Sequence, residues 1–255
     1  MSTEKSQAIV IRVIDFSESS CVITMMTRDF GKISALAKGA RRPKGPFESA
    51  IDLLAICRVV FIHKASDALD LLTEAKLERR FRAATRSLSR LYAGYYVAEL
   101  LNELTDEADP HPRLFDAAVS CLRALDGNGD VGANVLWFEM SALRLLGHLP
   151  SWDDCASCGK PISLSGRVPF GIHAGGVLCP RCRAGQRQVI GVQPQTLQLL
   201  RTFSSHTRSE GDVIEPPLAL PAGGRGELRG LVNQFLANLI GRRPRMHQYL
   251  GDLAG

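Results

Sequence analysis

Cys155-Ala-Ser-Cys158, followed by Cys179-Pro-Arg-Cys182, is the pattern with the most specific chemistry in this chain of 255 residues. A C-x-x-C pair sets two thiolates on one tight turn. Two such pairs supply the four sulfurs of a closed tetrahedral zinc shell. Gly159 and Pro180 suit the two turns, and the 20 residues between Cys158 and Cys179 lie at the upper edge of zinc-ribbon spacing. With sulfur in all four positions no site stays open for water, so the expected cofactor is one structural zinc ion, not a catalytic one. A thioredoxin-like redox pair and unliganded core thiols are the competing readings. His173, inside the intervening loop, reads as a surface histidine. Cys21, Cys57 and Cys121 sit in apolar patterns and read as core residues.

A second constellation is Lys38-Gly-Ala-Arg41-Arg42-Pro-Lys44, four cations without an acid. Phosphates are bound by cations presented together, so Lys38, Arg41, Arg42 and Lys44 are candidate DNA-binding residues. Arg79, Arg80 and Arg82 form a further candidate group, within a basic run from Lys76 to Arg90. Some of that run could instead be used in ion pairs or in capping. Arg242, Arg243 and Arg245 are less specific. The net charge is only +5, but it is segregated: Glu99–Asp154 holds eleven acidic residues against three arginines, whereas residues 155–209 hold no acid at all. Such segregation implies a polyanion on one surface and a different partner on another. Phe30 and Phe47 could stack on bases but read better as core.

The elements that must position these groups change character along the chain. Ala8–Phe16, Ser20–Thr27, Lys32–Ala37, Leu54–Ile62 and Leu69–Glu74 read as five strands, enough for a small barrel compatible with an OB-fold, a common oligonucleotide-binding scaffold. Lys38–Ser49 is then a barrel loop. Periodicity next becomes helical: Leu88, Leu91, Tyr92, Tyr95, Ala98, Leu101 and Leu104 predict one face, and Asp109-Pro-His-Pro112 stops that helix. Leu114, Ala118, Cys121, Leu122 and Leu125 mark a second helix. Others are predicted over residues 132–146, 194–204 and 226–240, with a Pro- and Gly-rich loop at 216–226. The expected fold class is α+β: a five-stranded OB-fold barrel in residues 1–80, then an all-helical domain in residues 81–255 with a zinc knuckle inserted at about 150–190.

The N-terminus lacks an apolar leader and the longest apolar run is too short to cross a membrane, so a cytoplasmic protein with reduced thiols is expected. Enzyme signatures are missing. Gly127-Asn-Gly129-Asp-Val-Gly132 matches G-x-G-x-x-G but joins two predicted helices instead of following a strand, so it reads as a turn. There is no P-loop, and Asp153-Asp154 lacks a third acidic partner.

The order of these parts resembles the RecO family of bacterial recombination mediators. The resemblance rests on AIVIRVIDFSESSCVITMMTRDFGKISALAKGARRPK for the first strands and basic loop, on Gly147-His-Leu-Pro150, and on W-x-x-C-x-x-C-G with C-P-x-C. It implies a nucleoid-associated protein of DNA repair and recombination, not an enzyme. Such a protein binds single- and double-stranded DNA, anneals complementary strands without nucleotide hydrolysis, and works with RecR to load RecA onto DNA coated by SSB. RecF is a further partner it suggests. In the family the zinc is accessory, and Lys38, Arg41, Arg42 and Lys44 occupy the barrel position used for DNA. The competing function is a zinc-ribbon adaptor of transcription or translation that meets RNA; a metal-dependent nuclease is a third.

Overall fold

The computed structural model describes residues 2–42, 47, 50–64, 69–206 and 224–254. The chain divides into two compact units, residues 1–128 and 129–255. The division falls inside the turn that begins at Gly127.

The first unit is built on five strands, β1 (Ser2–Asp15), β2 (Cys21–Thr27), β3 (Gly31–Ala37), β4 (Ile56–His63) and β5 (Asp70–Arg79), closed as a barrel in the order β1-β2-β3-β5-β4. Strand β1 serves two neighbours: Ser2–Ile9 pairs with β4 and Ala8–Asp15 with β2. A register shift between Val10 and Arg12 inserts Ile11 as a bulge, which lets the strand bend from one neighbour to the next. The ring closes where Ala35–Ala37 of β3 runs parallel to Asp70–Leu72 of β5. Closure leaves no free sheet edge and gives the expected OB-fold arrangement. Alternate residues, among them Val10, Ile23, Met25, Ile33, Val59 and Phe61, fill the interior. The polar half of β1, Ser2–Gln7, is strand although its sequence lacks apolar alternation; its backbone is held by pairing with β4.

Helices α1 (Leu88–Leu104) and α2 (Pro112–Asp126) pack on the outside of β1 and β2. The stripe predicted for α1 is only partly its buried face: Ala98 and Leu101 are buried, but Leu91, Tyr92, Tyr95 and Leu104 are half-buried. Leu88 is exposed, while Ala93, Gly94, Tyr96, Val97 and Leu100, outside the predicted stripe, are buried. The helix is apolar nearly all round, so periodicity could not select a side; small residues decide it, because a Cβ on Gly94 would lie only 2.7 Å from Leu54. In α2 the predicted stripe is the buried one.

The second unit packs α3 (Val131–Leu145), α5 (Pro194–His206) and α6 (Arg225–Ile240) together. Glu139 of α3 and Arg229 of α6 form a fully buried ion pair, which Asn233 supports with a hydrogen bond to the guanidinium. Between α3 and α5 lie three strands that the sequence does not predict, β6 (Val168–Gly171), β7 (Gly176–Val177) and β8 (Val189–Val192), in the order β7-β6-β8, with one helical turn, α4 (Pro180–Arg183). These strands are two to four residues long, too short to show a period. Trp152 stacks on Phe170 at 5.5 Å and Phe170 meets Phe235 of α6 edge-on at 6.3 Å, which roots the small sheet in the helices. Among the described residues no helix is long and apolar enough to cross a membrane.

Candidate metal centre and nucleic-acid interface

The first knuckle is a tight turn in which Gly159, at φ +67°, donates its N–H to the Cys155 carbonyl at 2.8 Å, and the Cys155 N–H bonds back to Lys160 at 2.8 Å. The left-handed conformation at Gly159 is one that L side chains rarely adopt. In the second knuckle Cys179 caps α4: its sulfur accepts from the Cys182 N–H at 3.4 Å, with Pro180 in the first helical position. The Cys179 N–H in turn donates to the Cys155 sulfur at 3.4 Å. All four sulfurs lie within 4.8 Å of one another, and Cys158 and Cys179 are 3.9 Å apart. A tetrahedral shell with zinc–sulfur bonds of about 2.3 Å needs sulfurs about 3.8 Å apart, so the donor set fits a metal ion of that kind.

Burial pushes the Cys155 thiol up, but N–H donors from Cys179, Ser157 and Cys158 outweigh it and hold it down at about 6. The Cys182 N–H similarly lowers Cys179, whereas hydrogen bonding to Cys179 and Cys158 pushes Cys182 up to about 12. Part of the cluster is thus ready as thiolate before any ion arrives. Lys160 and Arg181 flank it, as suits a tetrathiolate whose charge exceeds that of a divalent ion. His173 is exposed and outside the cluster, and Cys21, Cys57 and Cys121 are buried.

The basic loop follows β3 at one end of the barrel. Lys38, Arg41 and Arg42 are exposed there; Lys44 lies outside the described residues. Arg41 pairs with Asp15 at 2.9 Å, while Lys38 and Arg42 have no ion pair among the described residues. Phe47 is buried in the barrel core and Phe30 packs edge-on against Phe61 at 5.4 Å.

The other basic group is tied down. Arg79 binds the Asp126 carboxylate at 3.0 Å, and the Arg82 N–H reaches its other oxygen at 2.9 Å. Arg86 and Arg90 donate to the Asp126 and Leu125 carbonyls at 2.6 and 3.0 Å, completing the C-terminus of α2. Arg80 faces Asp52 at 3.4 Å. Only the Arg82 guanidinium of the three candidates is without such a partner among the described residues.

Residues 1–81 match the family described as Recombination protein O N terminal, and residues 85–248 match Recombination protein O C terminal. The chain belongs to the RecO family. It is 44% identical over 264 residues to the DNA repair protein RecO of Rhodopirellula baltica, covering 96% of this chain and 98% of the relative. It is 33% identical to that of Anaeromyxobacter dehalogenans, over 99% and 98% of the two chains, and 31% identical to that of Myxococcus xanthus, over 99% of each. RecO-family proteins act in DNA repair as recombination mediators and are not enzymes. The Gly127–Gly132 motif accords with this: it is a turn, in which the Asp130 side chain accepts from the Ala133 N–H at 2.8 Å to cap α3. Asp153 is likewise committed, to Arg201 at 2.8 Å.

In this RecO-family chain the tip of the β1–β2 hairpin is exposed although its sequence looks like core strand. Phe16 is 65% exposed and Ile14 43%, beside the exposed Arg12. An exposed aromatic that ends an apolar strand was the available signal, but it looks the same as the end of a core strand.

Proposed function

We propose that the protein anneals complementary DNA strands without nucleotide hydrolysis and, with RecR and in some settings a RecF-like partner, helps load RecA onto SSB-coated DNA. The full-length match of both halves to RecO carries this reading. Cations without an ion pair among the described residues, Lys38 and Arg42 at one end of a closed barrel, support it physically. Two strands repel through their phosphates, and a protein that neutralises both releases counterions and lowers the cost of their meeting. Base pairing then supplies specificity. Lys38 and Arg42, with Arg82 and Lys44, are the phosphate contacts in this proposal; Arg41 shares its charge with Asp15, and Arg79 and Arg80 are already occupied by carboxylates. Cys155, Cys158, Cys179 and Cys182 hold one zinc ion, which orders the small sheet and takes no part in the reaction.

The test is annealing of SSB-coated complementary oligonucleotides, with and without RecR and without ATP, over a salt series. Annealing that falls steeply with salt and responds to RecR is expected. No annealing at any salt concentration refutes the proposal, and a preference for RNA over DNA in competition assigns the chain to the adaptor reading instead.

A further inference from the structure

Of the seven cysteines, the fold leaves only members of the metal cluster exposed. Cys21, Cys57 and Cys121 are at most 1% exposed, and burial pushes the Cys57 thiol up to about 12, so that it stays protonated and inert at neutral pH. Within the cluster Cys155 is buried as well, but Cys158 is exposed and Cys179 and Cys182 are half-buried. These three line a cavity of about 330 Å³ with Lys160 and Arg181, and no carboxylate of the described residues lines it. Cys158, Lys160 and Arg181 are exposed, so a small solute meets sulfur directly from solvent.

Backbone bonds hold the two knuckles face to face. The Ala156 N–H donates to the Val177 carbonyl at 2.9 Å, the Val177 N–H to the Ser151 carbonyl at 2.9 Å, and the Cys179 N–H to the Cys155 sulfur at 3.4 Å. Across this seam Cys158 and Cys179, 21 positions apart in the chain, bring their sulfurs to 3.9 Å. A disulfide bond is about 2.05 Å long, and rotation about the two Cα–Cβ bonds supplies the remaining approach of about 2 Å.

We propose that this cavity is an oxidative modification site, where a hydroperoxide joins Cys158 to Cys179, expels the zinc ion and leaves a disulfide in its place as the tie between the knuckles. The proposal rests on the zinc reading above. In the first step the Cys158 thiolate attacks one peroxide oxygen, the O–O bond breaks, and Cys158 becomes a sulfenic acid while the other oxygen leaves as hydroxide or alkoxide. Lys160 and Arg181 stabilise that departing anion. The Cys179 thiolate then attacks the Cys158 sulfur, the S–S bond forms and a hydroxide leaves. Two electrons pass from the two sulfurs to one peroxide. An ion left with Cys155 and Cys182 alone has lost half of a closed shell and dissociates, and those two sulfurs take up protons. Because the new bond spans the same seam as the ion, the small sheet keeps its fastening. A thiol reductant reverses the link and frees the shell for zinc again.

The experiment titrates zinc-loaded full-length protein, freed of reductant, with hydrogen peroxide. A chromogenic chelator follows the ion, and mass spectrometry of unreduced tryptic peptides finds the link. Trypsin spares the bond between Lys160 and Pro161 and cuts after Arg144, Arg167 and Arg181, so Cys155 and Cys158 fall in peptide 145–167, Cys179 in 168–181 and Cys182 apart from both. The expected product is 145–167 joined to 168–181, with fragmentation placing the bond at Cys158, one zinc released per chain, and Cys21, Cys57 and Cys121 still open to alkylation after unfolding. Limited proteolysis then separates a tie from mere damage: the oxidised protein resists across residues 150–190 as the zinc-loaded one does, and loses that resistance when dithiothreitol is added without zinc. A disulfide confined to one knuckle, zinc retained while core thiols oxidise, or an oxidised protein as readily cut as the chelated one overturns the inference. Protein that carries no zinc before treatment refutes the zinc reading, whereas protein that carries zinc and fails any of these tests refutes the modification site alone.

Discussion

Two stretches of the first unit, Lys38–Arg42 and Lys76–Arg90, are both crowded with cations, and the fold treats them in opposite ways. In the second, Arg79, Arg86 and Arg90 reach acceptors on the last turn of α2, 35 to 47 residues away, and tie the end of the barrel to that helix. In the first, Lys38 and Arg42 reach no acid among the described residues, and only Arg41 finds one. Cation density therefore does not by itself make a binding surface. What decides is whether the fold brings a carboxylate or the carbonyl end of a helix within reach, because a guanidinium satisfied there must break those bonds before it can take a phosphate. The cysteine cluster belongs with the second group: its reactive atoms face one another and serve the fold.

The largest effect expected from that distinction lies at the cysteines. Structural zinc contributes on the order of 10 kcal/mol of folding free energy in small metal-dependent domains, so Cys155→Ser or prolonged chelation should leave residues 150–190 open to proteolysis. Metal analysis should find one zinc per chain in the wild type and none in the variant. DNA binding by the barrel should persist. Loading the metal-free protein near neutral pH should release fewer than four protons, because Cys155, held at about 6, is already largely ionised, while Cys182, held near 12, still carries its proton. Acidification acts in the opposite sense, protonating the sulfurs and driving the ion off. A protein free of metal after reduced purification, or a chelated one with unchanged proteolysis, breaks the assignment.

Next in size is the carboxylate that holds the second basic group. Asp126 is only 8% exposed and accepts from both Arg79 and the Arg82 backbone. Asp126→Ala leaves these donors unanswered and should cost roughly 2 to 3 kcal/mol, seen as a lower midpoint in urea with little change in the salt dependence of DNA binding. The complementary change is Lys38→Glu with Arg42→Glu. It should leave the urea midpoint in place and weaken annealing at moderate salt at least about tenfold, with a flatter slope as phosphate contacts are lost. If Asp126→Ala altered the slope, or the double reversal lowered stability, the contrast between the two regions would fail.

Sequence alone carried the types of these groups further than their commitments. The four cysteines were legible because a metal shell demands fixed residue types at close spacing. Most of the barrel and the long helices were legible because burial imposes periods of two or 3.6 residues. Ser2–Gln7 escaped because its order comes from pairing with β4, not from an apolar face, and β6 to β8 were too short to show a period. The fate of Arg79 was illegible for another reason: its partner is 47 residues away, and only the fold makes them neighbours. Phe16 was hidden the same way, since whether a strand-end aromatic is buried or exposed depends on where the barrel stops.

The smallest effect concerns the ion pair that the described residues of the first cluster form. Arg41 and Asp15 are about half and two-thirds exposed, at 50% and 70%, and such pairs contribute well under about 1 kcal/mol to stability. Asp15 also sets a negative charge beside the basic loop, competing with phosphates for Arg41. Asp15→Asn keeps the size and the hairpin position and removes that competition. It should tighten oligo(dT) binding about twofold at low salt, with the gain vanishing at high salt, and should not move the urea midpoint. Weaker binding would mean that Arg41 needs Asp15 to hold its pose, and Arg41 would then belong with Arg79 among the groups the fold keeps for itself.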